Sequence, residues 1–214
     1  NTKYKLSKEK EFHIFCDDFD NSGTYDIVLS NKYNGALVPL RGRECSSQQM
    51  PFVKNKYPSY QSFAEASLVD VYGQDNLDGA LHYEAKLLES VYVENLGKGQ
   101  FKLLKLPRQV QFSPVWSFEF IDLDKDGSLE ILSVGNQYNT EVESVRYDAS
   151  FGAVLKYKNR AFEVLSTKET GFVSKGDARD VKQIKLENGS LIVVSNNSSE
   201  LNIFNQSKRK FFRI

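Results

Sequence analysis

The chain is 214 residues long, and its Lys plus Arg and Asp plus Glu balance at 28 each, so no net field steers it toward nucleic acid or anionic lipid. Apolar residues make up 40%, with 15 Phe and 11 Tyr, a composition that suits pleated surfaces and points to a β-rich protein able to bury a core. No apolar stretch approaches the roughly 20 residues of a membrane helix, the first residues do not read as a secretion signal, and two cysteines define neither a disulfide framework nor a metal knuckle.

The first predicted hairpin is "FHIFCDDFDNSGTYDIVLSN", beginning at Phe12: an apolar run, a polar turn containing Gly23, and a second apolar run. Cys16 lies in the first run and reads as a buried free thiol, with a Cys16–Cys45 bridge as the alternative. In "RGRECSSQQMP", Arg41, Arg43 and Glu44 read as a salt-bridged connection. From about 46 to 88 the composition changes. Within "YPSYQSFAEASLVDVYG", Tyr60, Phe63, Ala64, Leu68, Val71 and Tyr72 recur at helical spacing, with Ser59 suited to cap the start and Gly73 the end. "NLDGALHYEAKLLES" predicts a short second helix opening at Asp78. His82 inside it has no ligand partner at helical spacing and reads as an ordinary residue. A further hairpin is predicted over 90–106, "SVYVENLGKGQFKLLKL".

The pattern then repeats. "VWSFEFIDLDKDGSLEILSVGN" begins at Val115 and "GAVLKYKNRAFEVLS" covers 152–166; "RDVKQIKLENGSLIVVSNN" begins at Arg179 and "ELNIFNQSKRKFFRI" covers 200–214. The basic cluster Lys208, Arg209, Lys210 and Arg213 reads as a solvated strand or tail. The turn glycines Gly23, Gly127 and Gly189 stand 104 and 62 residues apart, and the excess of 42 matches the differently composed insertion. Two hairpins per unit of about 60 residues suggest β-propeller blades. The expected fold is all-β: three four-stranded antiparallel blades of a partial propeller, blade 1 over about 11–106 with a helical insertion at about 46–88, blade 2 over about 112–166 and blade 3 over about 178–214. Three blades are too few to close, since propellers typically have about four to eight. A larger parent or association through open blade edges is therefore expected.

"FIDLDKDGSLEIL" packs four carboxylates, Asp122, Asp124, Asp126 and Glu130, around Gly127. Alternate positions of a tight turn converge, so these acids and the Ser128 carbonyl can supply the oxygens that Ca²⁺ prefers. The loop is not an EF-hand, whose bidentate Glu stands at position 12; here that position is Ser133 and the closing acid stands at position nine. The first repeat holds a diluted copy, Asp18, Asp20, Ser22, the Thr24 carbonyl and Asp26, with a neutral hydroxyl in place of one charge. The third has lost the set, with Ile184, Leu186, Asn188 and Ile192 at the ligand positions and an Asn188-Gly189 hairpin signal. One strong and one weaker calcium site are expected, against the alternative of ordinary polar turns.

The D-x-D-x-D-G-x-x-D/E loop between strands resembles the FG-GAP or VCBS repeats of integrin-α-type propellers. The order "VYVENLGKGQF", "FIDLDKDGSLEILSVGNQY", "TEVESVRYDASFG" and "RGRECSSQQMPF" is more similar to large bacterial FG-GAP proteins related to the ASPIC/UnbV and cartilage acidic protein group. The resemblance implies a calcium-bearing propeller at the cell surface, secreted or in the periplasm, with the ligands already named. No nucleophile, base and orienter set is present, nor a G-x-S-x-G, H-E-x-x-H or P-loop motif. The expectation is a non-catalytic module for protein or glycan recognition, without nucleic-acid binding or membrane insertion. Tyr57, Tyr60, Phe63, Tyr72 and Tyr83 could form a ligand platform, although packing is their commoner use. The alternative is the non-catalytic portion of a carbohydrate-active enzyme.

Overall fold

The computed structural model describes residues 6, 10–141, 144–207 and 210–213. It is mostly β, with four antiparallel sheets, none of them closed. The chain divides into two compact units, residues 2–88 and 89–214.

In the first unit, β1 (Phe12–Asp17) and β2 (Asp26–Tyr33) form the predicted hairpin, with Asp17 opposite Asp26 at its mouth. Asn34 and Gly35, both left-handed (φ 48° and 86°), turn β2 into β3 (Ala36–Pro39) as a two-residue hairpin of the kind that matches strand twist. Five short helices follow: α1 (Arg43–Gln49), α2 (Phe52–Lys56), α3 (Tyr60–Ala64), α4 (Leu68–Tyr72) and α5 (Gln74–Gly79). The chain returns as β4 (Leu81–Ala85), antiparallel to β1, giving the order β3-β2-β1-β4. Phe15, Phe19 and Val28 from the sheet side share a core with Met50, Val53, Phe63, Leu68, Val71, Tyr72 and Leu77 from the helical segment.

Two expectations are corrected here, and a third, the Arg43–Glu44 ion pair, is present but secondary. The helix expected from Tyr60 to Tyr72 is two helices. Ser59 caps the first, its hydroxyl accepting from Ser62 N–H at 3.1 Å, but Ser67 and Asp70 form a reciprocal capping box that starts a new helix. The helix expected to open at Asp78 is instead the end of α5 followed by strand β4, because pairing with β1 decides the conformation over local preference. Arg43 is buried and spends its guanidinium on the carbonyls of Lys54, Tyr57 and Pro58, with Glu44 only 3.9 Å away at the rim, so it ties α2 down more than it bridges to acid. Of the aromatics, Phe63 and Tyr72 are core, whereas Tyr60 and Tyr83 are exposed. Cys16 and Cys45 form no disulfide.

In the second unit, among the described residues, β5 (Val91–Gly97) and β6 (Gln100–Lys105) pair only with each other. They were expected to complete the first sheet; β4 takes the fourth place there instead. Two four-stranded meanders follow. The first is β7 (Val115–Ile121), β8 (Glu130–Gly135), β9 (Ala153–Lys158) and β10 (Ala161–Leu165). After α6 (Thr167–Thr170) comes the second: β11 (Ala178–Leu186), β12 (Gly189–Asn196), β13 (Asn202–Ser207) and β14 (Lys210–Arg213). β11 lies along β7 and β8, and Ile121, Leu132, Val154, Phe172, Val181, Ile192 and Phe204 fill the space between the meanders. A smaller cluster, Leu106, Val110, Ala153 and Leu155, is backed by Ile131 and Phe162. Of the basic cluster, Lys208 and Arg209 lie outside the described residues, and Arg213 on β14 donates to Asn202 Oδ1 at 2.6 Å. Among the described residues no helix is long and apolar enough to cross a membrane.

Candidate metal centre

The loops 18–25 and 122–129 join the first two strands of their sheets and have one backbone design, as their shared Asp and Gly positions require. Asn21 and Gly23 are left-handed (φ 58° and 87°), as are Lys125 and Gly127 (φ 60° and 86°). The first aspartate of each folds back on the turn. Asp18 accepts from the N–H groups of Ser22 and Gly23, both at 2.8 Å; Asp122 accepts from those of Asp126 and Gly127, both at 3.1 Å. The closing acid does the same at the other end: Asp26 accepts from Phe19 N–H at 3.1 Å, and Glu130 from Leu123 N–H at 2.9 Å. Between the first two aspartates stands a buried apolar residue, Phe19 or Leu123, whose side chain enters the neighbouring core. Side chains that alternate direction along an extended segment put the anchor inward and the acids outward.

This arrangement brings Asp18, Asp20 and Asp26 together, with one carboxylate oxygen from each within 4.8 Å of the others, and groups Asp122, Asp124 and Glu130 in the same way. Either cluster could hold a metal ion. The remaining sequence-predicted ligands stand differently. Asp126 lies outside the second grouping and accepts from Ser128 N–H at 2.8 Å, while the Ser22 hydroxyl bonds that of Thr24 at 2.8 Å. In the third hairpin the strands run on until only Glu187 and Asn188 turn the chain, and Gly189 opens β12.

Two residues at these sites escaped sequence reasoning. Lys156 stands on β9 opposite Glu130, and its ammonium lies 3.1 Å from Asp124, 2.9 Å from Asp126 and 3.0 Å from Glu130. Hydrogen bonding to Asp126, then to Glu130 and Asp124, pushes the Lys156 ammonium well above the ordinary lysine range, and Lys156 together with Ser128 N–H holds Asp126 at about 2. In the first loop an amide takes the corresponding place: Gln49, at the end of α1, donates to Asp26 Oδ1 at 3.1 Å. The segment 41–51 thus delivers a side chain to the first acidic loop. The all-oxygen donor set of the first loop fits a hard cation. In the second, a cation must displace the Lys156 ammonium to reach the same carboxylates.

Burial pushes the Asp26 carboxyl above the usual range, with the charges of Asp20 and Asp18 adding to the effect and hydrogen bonds from Gln49 and Phe19 opposing it. Asp18 is held below that range by the N–H groups of Gly23 and Ser22. A raised folded value means that Asp26 favours folding most while protonated, and that this contribution is lost as pH rises through it. Carboxyl-carbon NMR in chelator should find Asp26 titrating above, and Asp18 below, the ordinary carboxylate range. Excess calcium should draw the Asp26 midpoint down; a midpoint indifferent to calcium would remove the first loop as a cation site.

A cleft of about 710 Å³ opens beside the second loop, lined by Leu123, Asp124, Glu130 and Lys156 on one side and by Lys168, Glu169 and Lys210 on another. Compared with known proteins, the chain matches no family model, no curated protein and no solved structure.

Proposed function

We propose that the chain is a non-catalytic calcium-binding module, its four-stranded sheets standing as propeller-type blades, that recognises a protein or glycan outside the cytoplasm. The observation that carries the reading is that two loops sharing the D-x-D-x-x-G-x-x-D/E pattern take one backbone conformation and one carboxylate arrangement. The three acids crowded at the mouth of the first hairpin repel one another unless a cation lies among them, whereas in the second Lys156 supplies part of that charge and calcium competes with it. Oxygen-only donors suit Ca²⁺ better than Mg²⁺ here, since Mg²⁺ demands a stricter octahedron and retains its waters. The resemblance of both loops to FG-GAP or VCBS repeats supports the same ion and the extracellular setting, where calcium is plentiful. The cleft beside the second loop, with its mixed charges and the apolar floor of Leu123 and Leu165, is the surface offered for recognition.

Thermal unfolding in calcium and in chelator tests the reading. A ligand bound only by the folded state at a hundredfold excess over its dissociation constant stabilises by about 2.7 kcal/mol. Melting should therefore move upward by several degrees in calcium. Asp20→Ala and Asp124→Ala should each remove part of the rise, and the double variant nearly all of it. Identical melting curves with and without chelator would sink the proposal.

A further inference from the structure

A second type of ligand cluster, containing imidazoles, lies on the first sheet. His13 on β1 stands opposite Glu84 on β4, and His82 stands two residues before Glu84, opposite Phe15. Residues directly opposite in an antiparallel pair share a face, and so do residues two apart in a strand. Pairing of β1 with β4 therefore places two imidazoles and a carboxylate on one surface, with one ligand atom from each within 4.8 Å of the others. His13 Nδ1 lies 3.0 Å from His82 Nε2 and 3.8 Å from Glu84 Oε1. Two nitrogens on a tetrahedral zinc ion stand about 3.3 Å apart, given Zn–N distances of about 2.0–2.1 Å. Small side-chain rotations convert one arrangement into the other.

The surroundings prepare the ligands. Phe15 stacks on the His82 ring with centroids 4.2 Å apart and planes 4° from parallel, which fixes that ring. Lys86 holds Glu84 Oε2 at 2.8 Å and leaves Oε1 turned toward His13. His13 is 3% exposed, and its other nitrogen, Nε2, is buried without a hydrogen-bond partner, with the Glu11 carboxylate 3.9 Å away. A carboxylate behind the second nitrogen is the usual support of a metal-bound histidine, because it sets the tautomer that frees the other lone pair. Glu11 is itself held by Lys32 at 3.1 Å and Lys86 at 3.7 Å. Burial lowers the His13 pKa against the opposing pull of Glu84 and Glu11, which favours the neutral ring that a metal requires.

We propose that His13 Nδ1, His82 Nε2 and Glu84 Oε1 form a binding site for a divalent transition-metal ion of the zinc class. Imidazole donors select such ions over calcium and magnesium, whose preferred ligands are oxygens. Three protein ligands leave a fourth position for water. The ion would also clamp β4, the edge strand that follows the helical segment, to β1.

Cobalt titration of the untagged full chain at neutral pH, followed by zinc, tests this directly. The wild type should bind one Co²⁺ with the visible absorption of a four-coordinate site, and zinc should abolish it. His82→Phe, which keeps a ring against the buried Phe15, and Glu84→Gln change exposed residues; each should weaken Co²⁺ binding at least tenfold. Asp20→Ala, in the acidic loop, should leave it unchanged. Absence of cobalt binding in the wild type, or a loss of less than tenfold in either ligand variant, would overturn the proposal.

Discussion

Replacing Lys156 with methionine should tighten calcium binding at the second loop by about tenfold, since affinity in such loops follows the charge left to the ion. The ammonium now lies within 3.1 Å of Asp124, Asp126 and Glu130, and a cation seeking the same oxygens must displace it. Methionine keeps an unbranched stem reaching about as far as the lysine Cε and removes the competing ammonium. The same change should lower the melting temperature in chelator, because Glu130 is 1% exposed and would lose its counter-charge. Calcium should restore what the substitution removed. Calorimetric titration in an Asp20→Ala background isolates the second loop. Weaker or unchanged calcium binding there would show that Lys156 is not the occupant that calcium must replace.

Phe172→Ala is expected to cost about 3–5 kcal/mol, the range for removing a large aromatic side chain from a close-packed core. Phe172 is 1% exposed and meets Phe204 and Phe211 with centroids 5.1 and 5.5 Å away, in the space shared by the two meanders. The segment carrying it, from α6 to β11, is also tied by backbone bonds, Ser174 N–H to the Phe151 carbonyl at 2.8 Å and Asn197 N–H to that of Asp177 at 2.9 Å, so the loss falls on packing and not on the path of the chain. Denaturant unfolding should show the loss, and hydrogen exchange should place it at Val181, Ile192 and Val194. Unchanged protection at those amides would mean that the two meanders do not share the core described.

The hairpins that carry the acidic loops were legible because a period of two in the apolar residues coincides with turn chemistry at Gly23 and Gly127. The third hairpin was legible as well, although its two-residue turn falls on Glu187 and Asn188 and not on Asn188 and Gly189. What failed was the segment 78–90, where Leu81, His82 and Tyr83 were assigned to a helix. With that period, His82 and Glu84 point apart; as a strand they share a face, and the His13 partner 69 residues away appears only once β4 pairs with β1. Asn34-Gly35 is a strong hairpin signal that went unread, and with it β3. The pair Ser67 and Asp70 announced a new helix start within a stretch whose apolar spacing looked continuous. Lys156 was beyond reach for another reason: a lysine in a strand is unremarkable until the register sets it opposite Glu130.

The buried Phe19 and Leu123 and the backbone bonds to Asp18, Asp26, Asp122 and Glu130 also bear on kinetics. In the third hairpin the strands close into a ladder almost to the tip. In the acidic loops, side-chain carboxylates satisfy the N–H groups that a ladder would otherwise use, so the hairpin mouth stays open without an ion. Little chain ordering is left for the moment of capture. The rate at which an arriving ion is taken up would then depend on shedding its water and on how quickly Gln49 or Lys156 swings aside.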